Sequence, residues 1–121
     1  MDYLDYFLLG TEKAAAGDYT AAIGYYTEAL KLDPTDVVTL NLRGEVYLMA
    51  GFLDLAIRDF TEAIHWDPEF AEAYHNRSNA YAMKGQPMEA REDAEKASRL
   101  TLSARLPHHS QEEDWGDWDG L

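Results

Sequence analysis

The sequence contains no cysteine, and lysine and arginine supply only 10 of its 121 residues, against 23 aspartates and glutamates. Without cysteine the chain cannot form a disulfide, a thiolate nucleophile or a cysteine-ligated metal site. The formal net charge of −13 repels nucleic acid and anionic lipid. We therefore expect a protein or peptide partner that is basic or apolar rather than acidic, with no nucleic acid and no membrane.

Long apolar runs are also absent, and no stretch has the length that a bilayer span needs. The first residues do not look like a signal peptide, because Met1–Asp2 has no basic segment and Asp5 interrupts the apolar run. The lack of cysteine fits a reducing compartment. Together these absences lead us to expect a cytoplasmic protein.

What the sequence does have is repetition at a fixed spacing of 34 residues. Residues 17–34, GDYTAAIGYYTEALKLDP, align with residues 51–68, GFLDLAIRDFTEAIHWDP. A third, less similar copy keeps Gly85, Ala90 and Ala97 at the same spacing. A fixed period of this length indicates a stack of similar units, each of which contacts only its neighbours.

The period and the residues that recur within it resemble those of the tetratricopeptide repeat family. The second unit carries the matching residues Leu40, Gly44, Tyr47, Gly51, Ala56, Phe60, Ala63 and Pro68. The third unit departs at Ala94, where an aromatic residue is usual, and at Leu102, where proline is usual. The first unit departs at Lys13, where tyrosine is usual.

This resemblance implies an all-α fold, a right-handed solenoid of three antiparallel helix pairs. Each pair consists of a helix A and a helix B, with a glycine at the turn between them. The repeats would span about residues 3–36, 37–70 and 71–104 of an array covering 1–106. An acidic tail that contains tryptophan, residues 107–121, would follow.

Two pairs of opposite charges recur with the same period. Arg43 and Arg77 share one repeat position, and Asp59 and Asp93 share another, whereas the first repeat has uncharged residues at both. Because the charges are present or absent together, we predict the ion pairs Arg43–Asp59 and Arg77–Asp93 between helices A and B. The alternative is that each is a solvated surface charge.

In the family, the A helices line a concave groove that binds extended peptides. The resemblance assigns this groove Leu4, Phe7, Thr11, Val38, Asn41, Leu42, Glu45, Leu48, Met49, Glu72, His75, Asn76, Asn79 and Met83. The asparagines suit a peptide backbone, because an amide both donates and accepts hydrogen bonds. The methionines and leucines suit apolar anchors. The alternative is an ordinary inner surface without a strong ligand.

Some members of the family clamp a carboxylate with lysine, asparagine and arginine in the groove. Only Asn76 is compatible with that clamp here, and Phe7, Thr11, Leu42 and Glu72 occupy its other positions. Glu45 and Glu72 would repel a carboxylate. The resemblance therefore implies that acidic chaperone tails are not ligands.

The last 15 residues, PHHSQEEDWGDWDGL, break the repeat and combine acidic residues with Trp115 and Trp118. Three interpretations stay open. The segment is a short linear motif with tryptophan anchors, a solvated terminus with incidental aromatics, or a segment that docks on its own array.

No catalytic constellation, metal site or cofactor motif is visible, since the histidines lack metal-like spacing and the glycines fall at repeat positions. We predict a non-enzymatic adaptor or scaffold that binds a protein segment in the groove. One alternative is a self-associating subunit, a homo-oligomer that uses the apolar first helix and the tail. Another is a chaperone for a secreted client.

Overall fold

The protein's structure, a computed structural model, describes residues 1–105, and every regular element in that range is a helix. The helices are α1 (Tyr3–Ala15), α2 (Tyr19–Leu32), α3 (Val37–Ala50), α4 (Leu53–Trp66), α5 (Ala71–Met83) and α6 (Pro87–Arg105). They pack as the pairs α1–α2, α3–α4 and α5–α6, and each pair packs on the next. The prediction of an all-α solenoid of three helix pairs is confirmed. No helix of residues 1–105 combines the length and apolar composition needed to cross a bilayer.

Local sequence explains where the helices begin and turn. Gly17, Gly51 and Gly85 lie between helices A and B with φ of 79°, 89° and 82°, a left-handed conformation that a side chain disfavours. Asp18 caps α2, because its carboxylate accepts the Ala21 N–H at 3.2 Å. Asp36 caps α3 by accepting the Val38 N–H at 3.1 Å.

The core lies in the seams between helices rather than in one central layer. Leu30, Leu40, Ala63 and Ala73 come from four different helices and form one buried cluster. Each repeat therefore covers apolar surface of its neighbour, which makes the stability of the array a property of the interfaces.

In the first two repeats, a glycine on helix A lies directly against an aromatic ring on helix B. A Cβ atom at Gly10 would lie 2.6 Å from the ring of Tyr26, and one at Gly44 would lie 2.5 Å from Cε1 of Phe60. Tyr26 and Phe60 are 1% and 0% exposed, so neither ring can move into solvent. Glycine at these positions lets the two helices approach closely.

Alanine should have opposite effects on stability at Gly44, where a Cβ meets a ring, and at Gly24, where a Cβ meets open space. Gly44→Ala should destabilise the protein by about 1–3 kcal/mol, because the clash with Phe60 outweighs the better helix propensity of alanine. Gly24→Ala should stabilise it by about 0.5–1 kcal/mol, because no atom lies within 4 Å of the new Cβ in helix α2. Urea denaturation of both variants measures the difference, and shifts of the same sign would contradict it.

The outer end of the first repeat is charged. Val46 and Ala80 occupy one repeat position, and both are buried against helix B of the preceding repeat, at 2% and 0% exposure. The equivalent residue of the first repeat is Glu12, which is exposed, and the position of the buried Thr39 is likewise taken by the exposed Asp5. α1 therefore presents carboxylates at two positions where α3 presents the buried, uncharged Thr39 and Val46 to the preceding repeat.

Candidate functional site

The three A helices, α1, α3 and α5, are joined side by side by side-chain hydrogen bonds. The hydroxyls of Tyr3 and Thr39 lie 2.6 Å apart, and Asn76 Nδ2 donates to Asn41 Oδ1 at 3.0 Å. Fifteen side chains of these helices form what we call the A-helix face: Leu4, Phe7, Leu8, Thr11, Val38, Asn41, Leu42, Glu45, Leu48, Met49, Glu72, His75, Asn76, Asn79 and Met83.

The N-terminal part of the A-helix face is apolar and accessible. Leu4 and Leu8 are 56% and 54% exposed. Phe7 is half-buried, with its ring centroid 6.0 Å from that of Tyr3 and 6.2 Å from that of Tyr26. Leu8 is absent from the predicted groove residues, although it lies one period before Leu42. Exposed leucines beside a fixed aromatic ring offer apolar contact to a partner.

A tyrosine from helix B also reaches this surface, which the sequence did not indicate. The Tyr26 hydroxyl lies 3.0 Å from Thr11 Oγ1. Thr11 donates its own proton to the Phe7 carbonyl at 3.0 Å, so Tyr26 is the donor in the first contact. Burial raises the pKa of Tyr26, although the hydrogen bond with Thr11 lowers it, and the charge of Glu45 raises it further. The signal in the sequence was the phenol at Tyr26, where the second repeat has Phe60.

Asn41 does not offer its amide to a ligand, in contrast to the expectation for the three asparagines. It is 2% exposed, it accepts from Asn76 and it donates to Glu45 Oε2 at 3.2 Å. The cause is that α3 and α5 touch at this point, so the amide is used to join the two helices. Asn41 is therefore a positioning residue for Asn76 and Glu45, while Asn79 is exposed.

The centre of the A-helix face carries the carboxylate of Glu45, and none of the fifteen residues of this face is a lysine or an arginine. Burial raises the pKa of Glu45, and the charge of Glu72 raises it further. Glu72 is exposed on the next A helix. A cation placed between these two carboxylates would lower the pKa of Glu45, because it favours the charged form.

The remaining predicted groove residues differ in how much they expose. Val38, Met49 and Met83 are 45%, 55% and 61% exposed, and His75 is also accessible. Leu42 and Leu48 are half-buried and pack on the clusters around Tyr26 and Phe60. The methionines lie near the C-terminal ends of α3 and α5, so the face carries apolar contacts on both sides of its polar centre.

The residues of the predicted ion pairs lie in the seams between helices A and B. Arg43 donates from Nε and Nη2 to the two carboxylate oxygens of Asp59, both at 2.8 Å, and from Nη1 to Thr27 of the preceding repeat at 3.1 Å. Arg77 contacts Asp93 at 2.7 and 2.8 Å. Arg43 thereby links three helices, and the role of both ion pairs is structural.

Arg77 repeats the whole arrangement one period later. Its Nη1 donates to Thr61 of the preceding repeat at 3.1 Å, as that of Arg43 does to Thr27. Asp59 and Asp93 are 4% and 6% exposed, so both carboxylates depend on these donors.

Two further expectations concern the tail and metal binding. Trp115 and Trp118, which are anchors in one of the three interpretations of the tail, lie outside the described residues. Within residues 1–105, no group of three or more histidine, aspartate or glutamate side chains is arranged to hold a metal ion.

Comparisons with known proteins agree with the geometry. Two family profiles, both described as tetratricopeptide repeat, match residues 3–36 and 60–92, which together make up more than half of the chain. No curated protein matches the sequence.

Several solved structures are similar in fold. The second tetratricopeptide repeat domain of Spaghetti (RPAP3), bound to the HSP90 peptide SRMEEVD, is 26% identical with a TM-score of 0.79, over 83% of this chain and 93% of that one. The TPR2B domain of yeast Sti1, in a complex with pHsp70, is 25% identical with a TM-score of 0.83, over 93% and 90%. MamA is 27% identical with a TM-score of 0.82, over 85% of this chain and 60% of that one.

Proposed function

The chain belongs to the tetratricopeptide repeat family, and we propose that it is a non-catalytic protein-interaction module that binds an extended segment of another protein on the A-helix face. The similar domains of Spaghetti and yeast Sti1, solved with an HSP90 peptide and with pHsp70, support a protein partner. The segment bound by this chain differs in chemistry from the HSP90 peptide, because it is apolar and basic.

One observation carries the proposal: exposed leucines and a half-buried carboxylate share the A-helix face. Leu4 and Leu8 expose more than half of their surface, and Glu45 has its pKa raised by burial and by Glu72. Apolar anchors supply contact area, and a desolvated carboxylate supplies specificity for a cation. A segment with leucine-like side chains and a lysine or arginine satisfies both.

The same observation argues against an acidic ligand. The HSP90 peptide bound by the Spaghetti domain, SRMEEVD, carries three acidic residues. At the central positions of its own face this chain presents Glu45 and Glu72. Placing a carboxylate beside a half-buried carboxylate is unfavourable, because both are charged alike in a medium less polar than water.

A peptide array tests the ligand class directly. Heptapeptides that combine leucine or valine with one lysine should bind the full-length chain, whereas SRMEEVD should not. The substitution Glu45→Gln in the protein should weaken the binding of the tightest lysine-containing peptide about ten- to a hundredfold. This is the effect of losing one charge-assisted hydrogen bond. Glu92→Gln is the matched control, because it removes the same charge from an exposed position of α6. Fluorescence anisotropy measures both affinities.

The pH dependence gives a second, independent signature. Because the ligand cation favours ionised Glu45, whose pKa is raised in the unbound protein, affinity for the lysine probe should rise with pH through the titration of Glu45 and then level off. Glu45→Gln should abolish that rise. Tighter binding of SRMEEVD than of any lysine probe, or an unchanged affinity in Glu45→Gln, would contradict the proposed ligand class.

A second candidate function is self-association through α1, which the exposed Leu4 and Leu8 favour. The exposed Asp5 and Glu12 oppose end-to-end stacking of two copies, so any contact would have to be lateral. Sedimentation velocity over a range of concentrations separates the two functions. A constant monomer mass supports the interaction module, and a dimer that Leu8→Lys dissociates supports self-association.

A further inference from the structure

Two asparagines and Glu45 form a chain of hydrogen bonds at the centre of the A-helix face. Asn76 Nδ2 donates to Asn41 Oδ1 at 3.0 Å, and Asn41 Nδ2 donates to Glu45 Oε2 at 3.2 Å. Asn41 is 2% exposed, so its amide is bonded to these two neighbours rather than to solvent. Glu45 on α3 and Asn76 on α5 are therefore held on either side of one buried amide.

The carboxylate of Glu45 determines the direction of this chain. An ionised carboxylate only accepts hydrogen bonds, so Asn41 must turn its NH₂ group towards Glu45. The oxygen of Asn41 then faces Asn76, which must offer its own NH₂ group in turn. The amide oxygen of Asn76 is thereby left for a ligand, and within residues 1–105 it accepts no hydrogen bond from the protein.

The surroundings of Asn76 are consequently rich in acceptors. Glu45 keeps its second carboxylate oxygen free of Asn41, and the charge of Glu72 reaches Glu45, whose pKa it raises. The charge of Glu45 also raises the pKa of Tyr26, but the Tyr26 hydroxyl already donates to Thr11 at 3.0 Å. Two carboxylates and an amide oxygen require a ligand group that carries several donors.

Arginine meets this requirement better than lysine. Its guanidinium has five N–H donors in one rigid plane, so it can donate to a carboxylate and to a neighbouring oxygen at the same time. It is also more weakly hydrated than the ammonium group of lysine. Because Glu45 and Asn76 are both half-buried, a ligand group that loses water easily is favoured at this point.

We propose that Glu45, acting through Asn41, orients Asn76 as an acceptor and so makes this point a subsite for the guanidinium of an arginine in the bound segment. The inference rests on the proposed function and narrows the basic residue of the segment to arginine. Glu45 and Asn76 contact the guanidinium, whereas Asn41 is a positioning residue. Asn76, the one position compatible with a carboxylate clamp, thus presents an acceptor instead of a donor.

Peptides that differ only in their basic residue test the subsite. In the tightest lysine-containing heptapeptide, replacing lysine with arginine should tighten binding to the full-length chain about three- to tenfold, the effect of one additional hydrogen bond. Asn76→Ala removes the acceptor and should make the two affinities equal. Asn79→Ala is the matched control, because it removes the same group from an exposed position of α5 and should leave the ratio unchanged. Fluorescence anisotropy measures both affinities.

Asn41→Leu tests the positioning role. It removes the buried amide that fixes the direction of Asn76, so the preference for arginine over lysine should disappear in this variant. A residue with a merely structural role would weaken both peptides by the same factor and keep their ratio. An unchanged ratio in Asn41→Leu therefore overturns the role assigned to Asn41.

The direction of the chain can also be observed without a peptide. Neutron diffraction from crystals of the full chain in D₂O should show a deuteron of Asn41 directed at Glu45 and a deuteron of Asn76 directed at Asn41. The opposite direction overturns the proposal, as does equal affinity for the arginine and lysine peptides in the unmodified chain. If these two peptides still bind more tightly than SRMEEVD, the proposed function stands without the arginine subsite. If neither binds, the proposed function itself is overturned, and the subsite with it.

Discussion

Replacing Arg43 with leucine is expected to lower the free energy of unfolding by about 3–5 kcal/mol, because Asp59 is left as a buried charge without its partner. Asp59 is 4% exposed, and both of its carboxylate oxygens accept from Arg43 at 2.8 Å. For a domain of this size the loss is a large part of the total stability, which is typically about 5–15 kcal/mol. Arg99→Leu removes the same group from an exposed position and should change stability by less than about 0.5 kcal/mol.

The first repeat suggests how to reverse this loss. It has Leu9 and Tyr25 at the positions of Arg43 and Asp59, so the scaffold accepts an uncharged pair there. The double variant Arg43→Leu/Asp59→Tyr should therefore recover most of the stability that Arg43→Leu loses. Urea denaturation of the two single variants and the double variant gives the coupling energy. A double variant as unstable as Arg43→Leu would show that the ion pair is not the cause.

The effect of Arg43→Leu should also depend on pH. Burial raises the pKa of Asp59, against the opposing hydrogen bonds and charge of Arg43. Removing Arg43 raises that pKa further, and a carboxyl with a raised pKa contributes stability that is present at low pH and lost as pH rises through its titration. The difference between the unmodified chain and the variant should thus be larger at pH 7 than at mildly acidic pH.

Phe60→Ala is expected to cost about 3–5 kcal/mol, since it leaves a cavity in the seam that joins the second and third repeats. Phe60 is 0% exposed and packs with Ala56 of its own helix and Ala80 of the next repeat. The matched control is Phe52→Ala, which removes the same ring from a residue that is 55% exposed. It should cost no more than about 1 kcal/mol, the scale of its edge contact with Tyr47.

The Phe60→Ala variant also allows a test of the close approach between Gly44 and the ring of Phe60. In the unmodified chain Gly44→Ala is destabilising, because the new Cβ meets the ring of Phe60. In the Phe60→Ala background the ring is gone, so Gly44→Ala should instead stabilise by about 1 kcal/mol through helix propensity. A destabilisation of equal size in both backgrounds would show that the contact with Phe60 is not what requires glycine.

Much of the architecture is determined by the sequence alone, because it depends on interactions that are local or repeated. The turns between helices A and B follow from glycines that adopt positive φ, and the starts of α2 and α3 follow from Asp18 and Asp36, which accept nearby N–H groups. The partners of Arg43 and Arg77 could be inferred because both charges of each pair are missing from the first repeat. The groove residues were assigned from the resemblance to the family, position by position, and that assignment stays a prediction.

The chemistry of the surfaces was decided only by the tertiary structure, because it depends on distances between different repeats. The side-chain amide of Asn41 is chemically suited to contact a ligand, but the approach of α5 buries it, and its oxygen accepts a hydrogen bond from Asn76 instead. Tyr26 belongs to helix B, but the glycine at position 10 lets its hydroxyl reach Thr11 on the A-helix face. The raised pKa of Glu45 depends on how α3 and α5 place it beside Glu72. A repeat period determines which residues are equivalent, whereas burial by the neighbouring repeats determines what each equivalent residue does.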